Sequence, residues 1–541
     1  MTEQQVRAYH RLSMHQPGQY APGPGQLHWA SQPAPFRRYP GTRLLPLWHR
    51  PLDESPDYDA VFAAPCLPAQ ALNLASVSQL LYDSLALSAW KEAGDSRWAL
   101  RINPSSGNLH PTEAYLLLPA ASLEGAALLA HYAPDSHALE VRSELPDPLA
   151  RLLAASLPAG GLLLALASIG WREAWKYGER AWRYCQHDLG HAQAALAIAA
   201  SGLGWQVRQL HGIAESRLDS LFGVDRDNFA EREQIDCLLW IGPVQPGEFA
   251  LPAALLDGIA ALELRGQPNR LSPQQRAWPE LACMQALCRA PARPAQAWAS
   301  AAGYRRPDNP GLLLRPLLHQ RRSAQAFDAR SGIRTERLHA WLRRLLPGNS
   351  PVPLALSGCP PQVDLLLFVH RVQGLAPGLY WLDRCGTGVP PGLRADFAWQ
   401  PVPAQLPLYC LEQGDARELA RFLSCGQAIA SDGCVALGML AHFDRALAAG
   451  PWQYAELLRE CGRIGQLLYL EAETAGLSGT GIGCFFDPQV HELLGIADSR
   501  LQSLYHFTLG RALVDPRIST QPAYAELRRP PRTEQQGVIH E

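Results

Sequence analysis

Lysine is nearly missing from this chain: 541 residues contain two, Lys91 and Lys176, although Lys and Arg together number 48. Arginine fills almost every cationic position, and a guanidinium does not give up its proton. Lys176 is therefore the candidate for a site that needs a deprotonatable amine. Net charge is also lacking, with 50 acidic residues leaving −2 at pH 7, so the total charge offers nothing to nucleic acid or an anionic membrane. No apolar run approaches the ~18 residues of a membrane-spanning helix. The longest, Gly160 to Ile169, is broken by Gly170, Trp171 and Arg172. Twelve cysteines are scattered from Cys66 to Cys484 without a C-x-x-C pair, and the opening MTEQQVRAYH has no apolar signal core. These absences predict reduced thiols, no secretion and a cytoplasmic protein. H-E-x-x-H, zinc-type Cys/His spacing, a Walker loop and G-x-S-x-G are all absent, so no metal, no nucleoside triphosphate and no serine hydrolase is expected.

What is present is a duplicated pattern. With 47% hydrophobic and 18% charged residues the chain folds, and its length suits two to four domains. The apolar run Gly161 to Ser168 reads as a buried strand, followed by Trp175-x-Tyr177 and a helix over about Arg180 to Ser201. Gly433 to Leu440, Trp452-x-Tyr454 and a helix over about Tyr454 to Ala475 repeat that order. Both helices end at glycine, Gly202 to Gly204 and Gly476 to Gly479, as a cap with positive φ requires. Leu218 to Gly223 and His491 to Gly495 come next, then strand-like Cys237 to Gly242 and Tyr505 to Gly510. The division predicted is a Pro-rich leader over 1–65 wrapping the first domain, a first domain over 66–260, a linker over 261–310 with a short helix within Gln274 to Leu287, a second domain over 311–520 and a polar tail over 521–541. The fold class is α+β: two tandem domains, each a mixed sheet flanked by helices, packed as an internal pseudo-dimer.

Three segments can touch a ligand. Pro104-Ser105-Ser106-Gly107-Asn108 offers hydroxyls, an amide and, at Gly107, close backbone approach. His319 to Ser323 holds the adjacent Arg321 and Arg322, whose forks with the Ser323 hydroxyl suit a phosphate. Gly479 to Asp487 is rich in glycine, but it follows a helix, whereas a dinucleotide-binding loop follows a strand. On these segments the chain resembles the flavin-dependent nitroreductase superfamily, and within it the SagB-type azoline dehydrogenases that act on heterocyclised peptides. The resemblance covers most of both halves. It implies FMN as cofactor, with Pro104, Ser105, Ser106 and Asn108 against the flavin ring and an Arg321-Arg322-Ser323 helix on its phosphate. It also implies backbone N–H groups of Gly481, Ile482 and Gly483 at the N5 edge and Arg511 near the phosphate. Gln325 replaces a second family arginine.

In that family the serine loop and the other elements come from opposite subunits of a dimer. Here the loop lies in the first half and the rest in the second, while the matching loop Leu356 to Pro361 has lost its Asn. One composite FMN site across the halves is expected, its symmetry mate having degenerated. SagB-type enzymes carry a Lys-Tyr pair, matched by Lys176-Tyr177; the second half has Gln453-Tyr454 instead. Azole formation removes a ring proton and a hydride, so a base must face the substrate. Lys176 and Tyr177 share that assignment as catalytic residues, either as a phenol acidified by the ammonium or as a desolvated neutral amine. Tyr184, Asp188 and His191, on the next helix, can line the pocket or satisfy buried groups. The function expected is oxidation of an azoline or related peptide or aminoacyl substrate with oxygen as acceptor. Biosynthetic partner enzymes such as a cyclodehydratase, and no nucleic acid or membrane, are the expected company. An NAD(P)H-dependent nitro- or quinone reductase and a non-catalytic FMN-storage protein are the alternatives.

Overall fold

A computed structural model describes residues 2–525 except 50, 64–66, 124, 159, 227, 244–248, 295–307, 349–350, 391 and 404. Cys66, part of the expected linker and most of the expected tail lie outside the described residues. Two seven-stranded sheets dominate. The first runs Arg43–Pro46, Ala138–Glu144, Leu128–Ala133, Thr112–Leu118, Leu162–Ser168, Gln234–Gly242, Gln206–Gln209. The second runs Gln400–Pro401, Leu408–Gln413, Gly378–Leu382, Val363–Val369, Val435–His442, Leu501–Gly510, Ser478–Ile482. From the second position onward the two orders correspond strand for strand, whereas the first edge strand comes from the leader in one sheet and from between Gly378–Leu382 and Leu408–Gln413 in the other. Every ladder in both is antiparallel, which corrects the expectation of mixed sheets. The runs are apolar without alternation because both faces are covered. Leu164 and Leu166 join one cluster, Leu163 and Ala165 another, and Leu365 and Leu366 divide in the same way.

The two 22-residue helices, Ala181–Gly202 and Gln453–Thr474, pack against each other between the sheets. Their crossing is reciprocal. A Cβ on Gly190 would stand 2.2 Å from the Arg459 carbonyl oxygen, and one on Gly462 would stand 2.2 Å from that of His187. Only glycine allows backbones this close. The left-handed residues that stop these helices are Gly204 (φ +71°) and Gly476 (φ +65°), so of the expected glycines Gly202 is still helical. The crossing also fixes which residues correspond: Gly190 pairs with Gly462, hence Trp182 with Tyr454, whose rings pack 5.2 Å apart. Trp452-x-Tyr454 is therefore not the structural counterpart of Trp175-x-Tyr177, which belongs to the preceding helix Gly170–Tyr177. The sequence echo is out of register.

The ends of the chain cross the expected boundaries. Arg43–Pro46 of the leader is an edge strand of the first sheet, but the helix Thr2–Leu12 binds the second half: His10 meets the Tyr454 hydroxyl at 2.9 Å and Gln502 at 2.9 Å, and Arg7 pairs with Asp444 at 2.6 Å. The leader does not wrap the first domain alone. Ser519–Gln521 returns to the first half and pairs with the hairpin Leu87–Ala93 and Ser96–Arg101. The linker helix begins at Pro279, later than Gln274, and ends at Leu287. Gly190→Ala or Gly462→Ala should lower the thermal midpoint, at a cost of about 1–3 kcal/mol for overpacking each contact. Gly348→Ala, where a Cβ meets nothing within 4 Å, should leave it unchanged in the same melting experiment.

Candidate functional site

A cavity of about 650 Å³ opens where the halves meet. Its wall takes the serine loop from the first half and Arg321, Arg322, Ser323, Gly481, Ile482 and Gly483 from the second. The loop is set by the long helix beneath it. Asp188 accepts the Ser106 N–H at 3.0 Å and the Ser106 hydroxyl at 2.9 Å, and the Ser105 hydroxyl accepts the His110 N–H at 2.8 Å. Gly107 (φ +59°) rests on Tyr177, whose hydroxyl would lie 2.5 Å from a Cβ there. Asn108 donates its amide to the Ala99 carbonyl at 3.0 Å, which orients the amide and leaves its oxygen free of that bond. Pro104 completes the wall.

Arg321 and Arg322 follow the helix Leu314–Gln320 and do not lie within it, correcting the expected Arg-Arg-Ser helix. Arg321 donates to the carbonyls of Ile102 and Arg101, both at 3.1 Å, and its Nη1 is buried without a partner. Arg322 binds the carbonyls of His319 at 2.8 Å, Arg321 at 2.7 Å and Ser88 at 3.2 Å. Burial pulls the pKa of Arg321 down and that of Arg322 down to about 10, more than Tyr469 and Glu473 compensate. Two adjacent cations thus sit in a poorly solvated wall, an arrangement that an anion would relieve. Ser323 shares a 2.8 Å bond with the Tyr469 hydroxyl, which also accepts the Gly481 N–H at 3.0 Å. That N–H is spent inside the protein, contrary to the expectation that it faces a ligand. Gly481 and Ile482 belong to the edge strand Ser478–Ile482, and the Ile482 side chain packs into the second core. Gly483 approaches Tyr184 so closely that a Cβ would lie 2.2 Å from its ring.

Tyr177 is on the wall, edge to face with Tyr184 at 4.5 Å. Lys176 is behind it, its ammonium 5.4 Å from the Tyr177 ring centre and beside Gly107. Burial, then the Glu173 carboxylate, pushes the Tyr177 phenol well above its usual range. The expectation of a phenol acidified by its neighbour is corrected: Tyr177 keeps its proton. Asp188 is raised from 3.8 to about 7 by burial, against the pull of Ser105 and Ser106. Glu173 is fully buried with both oxygens unpartnered and is pushed well above the carboxylate range by burial and by Asp188. Arg511 is exposed and absent from the wall; its carbonyl accepts the Asp328 N–H at 3.0 Å. Of the helix residues left open, Tyr184, Asp188 and His191 all reach the cavity.

Sequence reasoning missed Tyr469, Glu473 and Tyr505, and also the hairpin residues Lys91 and Trp98 with the returning segment at Leu513 and Val514. Lys91 reaches Thr520 at 2.6 Å. None of these carries a motif; only the fold brings them to the cavity. Elsewhere Asp364, Cys385 and His442 gather ligand-type atoms within 4.8 Å of one another, but Asp364 already accepts from His442 at 2.8 Å and from the Arg384 and Cys385 N–H groups. Among the described residues no helix is long and apolar enough to cross a membrane.

The architecture has a solved parallel. A chain from Anabaena variabilis assigned to the nitroreductases superposes with a TM-score of 0.67 at 22% identity, covering 94% of this chain and 99% of its own. A similarly assigned chain from Ralstonia eutropha covers 42% of this chain and 98% of its own at 15% identity and a TM-score of 0.28. The E. coli microcin synthetase McbBCD complex with truncated pro-MccB17 contributes a chain covering 34% of this one and 67% of its own, at 21% identity and a TM-score of 0.26. The last two scores are too low to bear on the reading. No family model and no curated protein matches the sequence. The fold is nitroreductase-like over nearly the whole chain.

Asp188 binds its proton more tightly folded than unfolded between 3.8 and about 7, so its contribution lowers stability as pH rises through that window, by at most ~1.4 kcal/mol per pH unit. Asp188→Asn should flatten this decline in urea titrations at stepped pH and remove a carboxylic-acid infrared band that fades near neutrality. An unchanged band would assign that proton elsewhere.

Proposed function

We propose that this chain is an FMN-dependent oxidoreductase whose halves form an internal pseudo-dimer around one flavin, and that it oxidises an azoline or related peptide or aminoacyl substrate, with oxygen as final acceptor. The observation that carries the reading is the pair of adjacent cations, buried Arg321 with an orphaned Nη1 beside half-buried Arg322, on the wall of the same 650 Å³ cavity as the Ser105 to Asn108 loop. The residues present fit the cofactor: guanidinium groups and the Ser323 hydroxyl for its phosphate, and the loop hydroxyls and Asn108 oxygen for a flat polar ring. The cavity is also of ligand size, since small-molecule sites span roughly 300–1,000 Å³.

A bound flavin would supply the hydride acceptor. The protein supplies binding, orientation and proton handling. Tyr177 remains a phenol and donates a hydrogen bond to whatever faces it. Asp188, with its carboxyl titrating near neutrality, exchanges a proton at the serine loop, where a poised pKa is most effective. Lys176, behind Gly107, lies against the Tyr177 ring and draws the Glu173 carboxyl toward ionisation. A protonated Tyr177 also suits delivery of a proton to a substrate being reduced, which favours an NAD(P)H-dependent nitro- or quinone reductase as the second reading.

One site per chain follows from the counterpart position. There the loop at Leu356 closes directly onto the first half: Gln209 N–H reaches the Leu356 carbonyl at 3.0 Å and His211 the Ser357 carbonyl at 2.7 Å. Purified protein should bind FMN at one per chain, and two per chain by absorbance would overturn the composite site. Arg321→Ala should weaken FMN roughly tenfold to hundredfold, as loss of a charge-assisted bond does, read by quenching of flavin fluorescence. Lys176→Ala should retain FMN while substrate oxidation falls up to roughly 10²-fold, as displacement of Tyr177 would cost; full nicotinamide-driven turnover in that variant with no azoline oxidation in the parent would select the reductase.

A further inference from the structure

Two cysteines lie on segments that are laced together, and one of them, Cys484, lines the cavity. Cys425 follows the helix Arg417–Leu423 and holds a left-handed backbone (φ +55°), which the Gly426 N–H closes onto the Arg421 carbonyl at 2.9 Å. Cys484 follows the edge strand Ser478–Ile482 and lines the cavity. The Gln427 amide bridges the carbonyls of Ser424 at 2.8 Å and Cys484 at 3.0 Å, and the Phe486 N–H reaches the Leu423 carbonyl at 2.8 Å. This lacing holds the segments that carry the two cysteines side by side, with each thiol within electrostatic reach of the other. Both residues are half-buried.

The surroundings distinguish the two sulfurs. His15 is beside Cys484, and because its Nδ1 accepts the Ala21 N–H at 2.9 Å, its Nε2 carries the ring proton. Arg180, anchored on the Gly483 carbonyl at 2.9 Å, adds positive charge beside the same residue. The Cys425 thiol, His15 and Arg180 hold Cys484 below the ordinary thiol range, while the contact with Cys484 and burial push Cys425 above it. An attacking thiolate beside a protonated partner is the division of labour that thiol–disulfide exchange requires.

We propose that Cys425 and Cys484 are a redox-active pair that exchanges with small disulfides reaching the cavity, Cys484 attacking and Cys425 resolving. The Cys484 thiolate forms a bond to one sulfur of the disulfide and expels the other as a thiolate, which takes up a proton. Cys425 then gives its proton to solvent and attacks Cys484, expelling the second thiolate. Two protein thiols are oxidised to one disulfide, and one small disulfide is reduced to two thiols. No flavin enters these steps, so the inference stands or falls apart from the cofactor reading.

The test uses the full chain, reduced, freed of reductant and without added flavin, incubated with glutathione disulfide and mapped by mass spectrometry after alkylation. The expected result is loss of two alkylatable thiols per chain, a linked peptide pair holding Cys425 and Cys484, and reversal by dithiothreitol. Cys425→Ser should stop at a glutathione adduct on Cys484, and Cys484→Ser should yield no adduct on Cys425. Persistent alkylation of both cysteines in the unsubstituted chain would overturn the pairing whatever the variants do, and an adduct on Cys425 in Cys484→Ser would overturn the assigned order of attack.

Discussion

The close crossing of the two long helices is the constraint on which the remainder is built. Gly190 and Gly462 let each backbone touch the other's carbonyls, His187 and Arg459, and no side chain can be placed between them. With the axes pinned there, Asp188 points up at the serine loop of its own half, and His191, one turn along, meets Gln466 and Tyr505 of the other half. The cavity wall is assembled from both halves because the helices that carry it cannot move apart.

The cavity is charged where it is buried. Arg321 and Arg322 lose hydration and gain mainly carbonyl partners, which bind a cation without neutralising it. Asp188 and Glu173 are carboxyls in the opposite difficulty, and each holds its proton longer than water would allow. Desolvation is the largest influence on all four groups. Desolvated charges of this kind are costly, and they gather where a protein handles charge.

The repeat was legible because its elements are long and doubly buried. Leu162–Ser168 and Val435–His442 have to be apolar on both faces, so they stand out at any register. Finer alignment was not legible. Trp175-x-Tyr177 and Trp452-x-Tyr454 look equivalent as strings, yet the glycine crossing pairs Trp182 with Tyr454 and leaves Tyr177 without a counterpart on the second long helix. Likewise Arg321 and Arg322 read as helical from their neighbours, but the helix stops at Gln320 and frees both side chains to reach across to Arg101, Ile102 and Ser88. The two seven-stranded sheets, expected to mix directions, are antiparallel in every ladder.

By itself the sequence determined much of the cavity wall: a serine loop, two adjacent arginines and a glycine-rich segment, each recognisable because its chemistry is local. Tertiary structure alone decided that Tyr469 would take the Gly481 N–H, that Arg511 would face solvent, and that Lys91, Trp98 and Val514 would close the cavity from distant parts of the chain. A residue's type is written at its own position. Its protonation, its partners and the space it faces depend on what is folded against it, and those neighbours lie hundreds of residues away.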